Sequence, residues 1–183
     1  GTSIVNGFST GVRMTQSANG GFVYFNSTGG SITATGIGIN ADNAVGSATI
    51  ESQTAIVAPN GIRATVGTGA TITTSGGGTI NSNAVGTGTG IFSTSSGSGN
   101  VNVAVGAAIG GSTRGATGVN ASTTGTGTVT ISTTAAITAN TGIVASSGAA
   151  TGNSINVGAL VNAANGGGVA GILVQSAGFT TTV

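Results

Sequence analysis

The chain has 183 residues, enough for one domain or two, and carries three Lys or Arg, two Asp or Glu, no His and no Cys. Charged residues are 3% of it, against about 25% in ordinary globular domains. A net charge of +1 excludes phosphate-neutralising nucleic-acid binding and a polybasic membrane patch, and the missing Cys and His exclude a disulfide framework and the usual zinc ligands.

Glycine supplies 37 residues, a content that flexible linkers share. Disordered chains, however, are charged and poor in β-branched residues. This one is nearly uncharged, rich in Ile, Val and Thr, and holds a single proline, Pro59. No apolar run is long enough to cross a membrane as a helix, and direct membrane insertion is not expected. The start, GTSIVNGFST, lacks a basic region and a long apolar run, so it is read as part of a processed or longer chain rather than as a signal peptide.

Repeats organise the sequence. A Gly-Ile or Gly-Val pair opens a unit at Gly11, Gly36, Gly61, Gly90, Gly118, Gly142 and Gly171, at steps of 25, 25, 29, 28, 24 and 29 residues by subtraction. In chain order the first segment of each unit is GVRM, GIGI, GIRA, GIFS, GVNA, GIVA and GILV. The second is a short alternating run: FVYF, SATIES, ATITT, NVNVAV, TVTIS and SINVG. The third reads SITA, AIVA, TINS, AAIGG, AITA and LVNA. Turn-forming Gly, Ser, Asn and Thr lie between them.

Alternation with period 2 predicts strands, and the abundance of Gly and β-branched residues speaks against helix. Three short strands per unit of 24–29 residues predict an all-β chain. The expected architecture is a parallel β-helix, or β-solenoid, of about six to seven rungs. Residues 1–183 would form a single β-solenoid domain, a rod roughly 30–35 Å long at the spacing of paired strands.

The inward columns follow from the repeat. The first strand aligns Val12, Ile37, Ile62, Ile91, Val119, Ile143 and Ile172. The second aligns Ile50, Ile72, Val103, Ile131 and Val157, with Phe22 to Phe25 supplying bulk in an early rung. The third aligns Ile32, Ile56, Ile80, Ile109, Ile137 and Val161. Alanines such as Ala58, Ala64, Ala121, Ala139 and Ala145 fill a narrow lumen beside them. Neither end shows a capping element, so neighbouring sequence or end-to-end association is expected to cover the edges.

Few residues are suited to chemistry. The carboxylates, Asp42 and Glu51, fall on different parts of one rung, whereas a glycosidase needs a facing pair. Arg13 and Arg63 sit two residues after their glycines, in an outward column shared with Phe92, Asn120 and Leu173; Arg114 stands apart. That column is a solvated surface or a binding stripe. GGGVAG, Gly166 to Gly171, matches a dinucleotide-binding pattern but leads into a strand instead of a helix. Asn26 and Asn120 head glycosylation triplets. Thr71/Thr73 and Thr128/Thr130 hint at a flat threonine array of the ice-binding kind, which Ser, Ala and Val interrupt. No catalytic, cofactor-binding or metal residue is assigned, and no cofactor is expected.

GIGINADNAVGSATIESQTAIVAPNGIRA and GVNASTTGTGTVTISTTAAITANTGIVASS resemble the passenger domain of a bacterial autotransporter. The resemblance runs from about Gly11 to Gly178 and is shared in style by other secreted β-helices. It implies a right-handed β-helix, secreted or displayed on the bacterial cell surface, acting as an adhesin or stalk. The expected function is non-enzymatic, structural or adhesive. Its partners would be a host or neighbouring cell surface, or other copies of the chain. A self-assembling extracellular fibre subunit and a polysaccharide-acting enzyme are the alternatives.

Overall fold

The computed structural model of the chain describes residues 4–17, 20–76, 78–82, 87–110, 114–148, 152–163, 171–176 and 181–182. About 70% of the chain is strand, and the described residues include no helix. The strands are β1 (Ile4–Gln16), β2 (Phe22–Ser27), β3 (Ser31–Asn43), β4 (Ser47–Ser52), β5 (Ala55–Ala58) and β6 (Asn60–Val66). Next come β7 (Gly69–Thr74), β8 (Ile80–Ser82), β9 (Thr89–Ser95), β10 (Val101–Val105), β11 (Gly115–Thr123) and β12 (Val129–Thr133). The last are β13 (Ile137–Ser147), β14 (Asn153–Val157), β15 (Val161–Ala163), β16 (Ile172–Ser176) and β17 (Thr181–Thr182).

All pair in parallel with strands one turn away, and together they form a β-solenoid of about six turns, the expected parallel β-helix. The expected three strands per rung resolve into two sheets. Seven strands make one, in the order β17-β14-β12-β10-β7-β4-β2. Ten make the other, along β15-β13-β11-β9-β6-β3-β5-β8, with β1 beside β3 and β16 beside β13. In this larger sheet the third strand of one unit and the first of the next lie side by side in the chain. In β1, β3 and β13 they run on as one strand. Between β5 and β6 the break falls at Pro59, whose missing N–H cannot join a ladder.

Alternation places the core. β7 (GATITT) buries Ala70, Ile72 and Thr74 and turns Gly69, Thr71 and Thr73 outward. Stacking then makes columns. The second-strand column is Phe25–Ile50–Ile72–Val103–Ile131–Ile155. The third-strand column is Ile32–Ile56–Ile80–Ile109–Ile137–Val161, as expected. The first-strand column is Val12–Ile39–Ile62–Ile91–Val119–Ile143–Ile172. Away from the ends these side chains are fully buried or nearly so, and the expected alanines line the lumen beside them. Each buried isoleucine contributes on the order of 2 kcal/mol of apolar transfer.

Of the stretch Phe22 to Phe25 only Val23 and Phe25 face the core, while Phe22 and Tyr24 are exposed, and two column positions move by two residues. Ile39, not Ile37, stacks on Ile62, and Ile37 lies outside opposite Asn60. Ile155, not Val157, stacks on Ile131, and Val157 joins the neighbouring inner column opposite Thr133. In both stretches, GIGI and SINV, apolar residues lie two apart. Period 2 gives them the same parity, so only stacking against the next turn selects between them.

Glycine decides the first case. The repeat glycines are Gly11, Gly38, Gly61, Gly90, Gly118, Gly142 and Gly171, so the units measure 27, 23, 29, 28, 24 and 29 residues by subtraction. A Cβ on Gly38 would lie 2.3 Å from Ile56 Cγ2 and 2.7 Å from the Gly61 carbonyl oxygen. One on Gly118 would lie 2.3 Å from Ile137 Cγ2 and 2.6 Å from the Gly142 oxygen. From Gly11 to Gly118 the third-strand isoleucine therefore fills the space where a side chain at the repeat glycine would stand, and Val161 does so at Gly142.

Buried polar groups sit mainly at corners. Asn43, fully buried, donates to the carbonyls of Gly21 (2.8 Å) and Ser47 (2.9 Å) and accepts from the Gly46 N–H (2.9 Å). Ser93 and Ser95 are also fully buried, yet their hydroxyls have no hydrogen-bond partner, an arrangement that costs stability.

Candidate functional site

The larger sheet bends at the repeat glycines. β6 and β9 each bury two successive residues there, Gly61 with Ile62 and Gly90 with Ile91, which breaks the alternation. The outward columns on either side of the bend flank a furrow, which is open where β3, β6 and β9 meet. One wall is Thr10–Ile37–Asn60, continued by Thr89–Thr117–Thr141. The two parts are joined where the Thr89 N–H donates to Asn60 Oδ1 (3.2 Å). The other wall is Arg13–Asn40–Arg63–Phe92–Asn120–Val144–Leu173. This is the outward column that the sequence places two residues after each glycine.

Near its middle the furrow opens into a hollow of about 230 Å³ lined by Ile37, Asn60, Arg63, Thr89 and Phe92. The Arg63 guanidinium lies over the Phe92 ring, 5.9 Å from its centroid, a cation–π contact between successive turns. Among the described residues Arg63 has no carboxylate partner. Asn60 holds the backbone of adjacent turns, since its amide donates to the Gly36 carbonyl at 3.4 Å. Asn40, 6% exposed, stands in the column between Arg13 and Arg63. Its amide donates to Asp42 Oδ2 at 2.7 Å, while its own Oδ1 has no partner.

The carboxylates do not meet. Asp42 lies on β3 of the larger sheet, in the outward column beyond Arg63 from the furrow. Glu51 lies on β4 of the smaller sheet, where its Oε2 accepts from Tyr24 Oη (2.8 Å) and from the Asn26 amide (2.9 Å). Arg114 is turned to the Asn162 carbonyl (3.4 Å) and joins neither group. Thr71 and Thr130 share the outward column Thr49–Thr71–Asn102–Thr130–Ser154, beside Glu51–Thr73–Ala104–Ser132–Asn156. Asn102, Ala104 and Glu51 break the threonine array, and Thr128 lies outside the strand. Asn26 is exposed and Asn120 half-buried. The Gly166–Gly171 pattern falls almost wholly outside the described residues.

The sequence reading missed the furrow and its Ile37, Asn60 and Thr89 wall. The signal was present: each Gly-Ile pair puts two inward residues in succession where strict alternation allows one. Compared with protein-family models, curated proteins and solved structures, the chain matches none.

Proposed function

We propose that the protein is a non-enzymatic β-helix of a secreted or cell-surface protein, of the autotransporter-passenger kind, serving as a stalk or an adhesive surface. The observation that carries this reading is the unbroken column stacking beneath nearly uncharged outward columns. The lumen is filled mainly by stacked layers of Ile, Val and Ala, which favours length and stiffness. The outward positions vary freely from turn to turn, so they can meet a surface without disturbing the core. The separation of Asp42 and Glu51 onto different sheets argues against the polysaccharide-cleaving alternative, which needs a facing pair.

The test is retention of microspheres coated with the purified chain as they flow over host-cell or bacterial layers, with unfolded Ile131→Asp protein as control. Retention of the native coat alone supports an adhesive surface. Equal retention would remove adhesion and leave the stalk. New reducing ends released from a polysaccharide panel would move the protein to the enzyme class.

A further inference from the structure

The geometry points to the furrow as a binding site for an acidic linear polysaccharide, a uronate-bearing glycan lying along the rod axis. The inference rests on the adhesive reading and names its ligand class.

Three features carry it. The first is charge. Arg13 and Arg63, two of the chain's three cations, stand in one wall of the furrow. Asp42, the only side-chain carboxylate on this sheet, lies on the far side of that wall and is occupied by the Asn40 amide. An anion entering from the furrow meets guanidinium donors that have no carboxylate partner among the described residues, and a planar guanidinium grips a carboxylate in two-pronged fashion. The second is the lining. The hollow combines Phe92 and Ile37, which suit the C–H face of a pyranose, with the Thr89 hydroxyl and the Asn60 amide, which suit its hydroxyls. The third is spacing. Arg13 and Arg63 are two turns apart, about 9–10 Å at the strand spacing, close to the repeat of a disaccharide in an extended glycan. Acidic residues on one face of an extended peptide recur every 6–7 Å or so, which does not fit. A nucleic acid is held by many phosphate contacts from Lys and Arg, and two do not suffice.

Fluorescence anisotropy with end-labelled hexagalacturonate tests the assignment, using its methyl ester and hexaglutamate as competitors at low salt. The acid should bind, the ester should compete at least tenfold more weakly, and added salt should weaken binding. Arg63→Ala should lose tenfold or more and Phe92→Ala severalfold, while Arg114→Ala stays at the native value and the two arginine variants keep the native melting temperature. Ester competing as well as acid, or Arg63→Ala binding like the native chain, would overturn the site. Hexaglutamate competing equally would overturn the glycan and assign an acidic peptide instead. The microsphere assay separates this from the adhesive reading. If Arg63→Ala coats adhere as well as native ones, the furrow is wrong and adhesion stands. If hexagalacturonate binds through Arg63 but coated microspheres are not retained, the furrow stands and adhesion falls.

Discussion

Ile62 and Arg63 are neighbours in β6 and belong to columns with opposite rules. The inner column through Ile62 is monotonous, Ile or Val at each of its seven positions from Val12 to Ile172. The outer column through Arg63 changes at nearly every turn: Arg, Asn, Arg, Phe, Asn, Val, Leu. Inside, each side chain packs on its copy in the next turn, so an odd member damages two contacts. Outside, most of these side chains also reach water, and a change disturbs the packing less. Stability is therefore concentrated in one set of alternating positions and recognition in the other, and substitutions can test how completely the two are separated.

The largest break is a charge in the lumen. Ile131, fully buried between Val103 and Ile155, has no polar group of its own column to pair with. Ile131→Asp is expected to remove more than about 4 kcal/mol, seen as loss of the cooperative melt followed by circular dichroism. A variant that melts like the native chain would show that the inward register is wrong.

The glycine ladder comes next. Gly118→Ala drives a methyl group into Ile137 and the Gly142 carbonyl, an overpacking expected to cost about 3 kcal/mol. Gly76→Ala is its partner experiment, because nothing lies within 4 Å of a Cβ there, and its effect should stay within about 0.5 kcal/mol. Equal losses at the two sites would mean that the glycines serve chain flexibility rather than the close approach of turns.

A smaller effect with the opposite sign is expected at Ser93. Its column holds Ala41 and Ala64 in earlier turns and Ala121 and Ala145 in later ones, and its hydroxyl has no partner. Ser93→Ala should stabilise the rod by about 1 kcal/mol, measured as a raised melting temperature. A loss instead would show that the hydroxyl is satisfied in solution by a water inside the lumen.

These contrasts also explain what the sequence could disclose. The repeat, the strands, the third-strand column and the alanine lining were legible because burial forces period 2 and stacking forces recurrence. Ile37 and Val157 were misplaced because parity does not distinguish residues two apart, and only contacts across turns do. The union of first and third strands into one sheet was hidden in the Gly-Ile pairs, whose two inward residues bend a strand without ending it. The furrow went unseen for the same reason: its walls are separated by that bend, and Asn60 and Thr89 look like ordinary turn residues in a chain full of them.

The smallest expected effect is the most informative about separation. Arg63 is exposed, and its guanidinium lies over the Phe92 ring. Arg63→Ala should change stability by no more than about 0.5 kcal/mol, while Phe92→Ala, at a half-buried ring, should cost somewhat more. If Arg63→Ala instead cost about 2 kcal/mol or more, the guanidinium would be a structural clamp between turns, and the outer column would obey the rules of the inner one. A negligible loss leaves Arg63 free of structural duty, so that a change in binding by Arg63→Ala can be read without a stability correction.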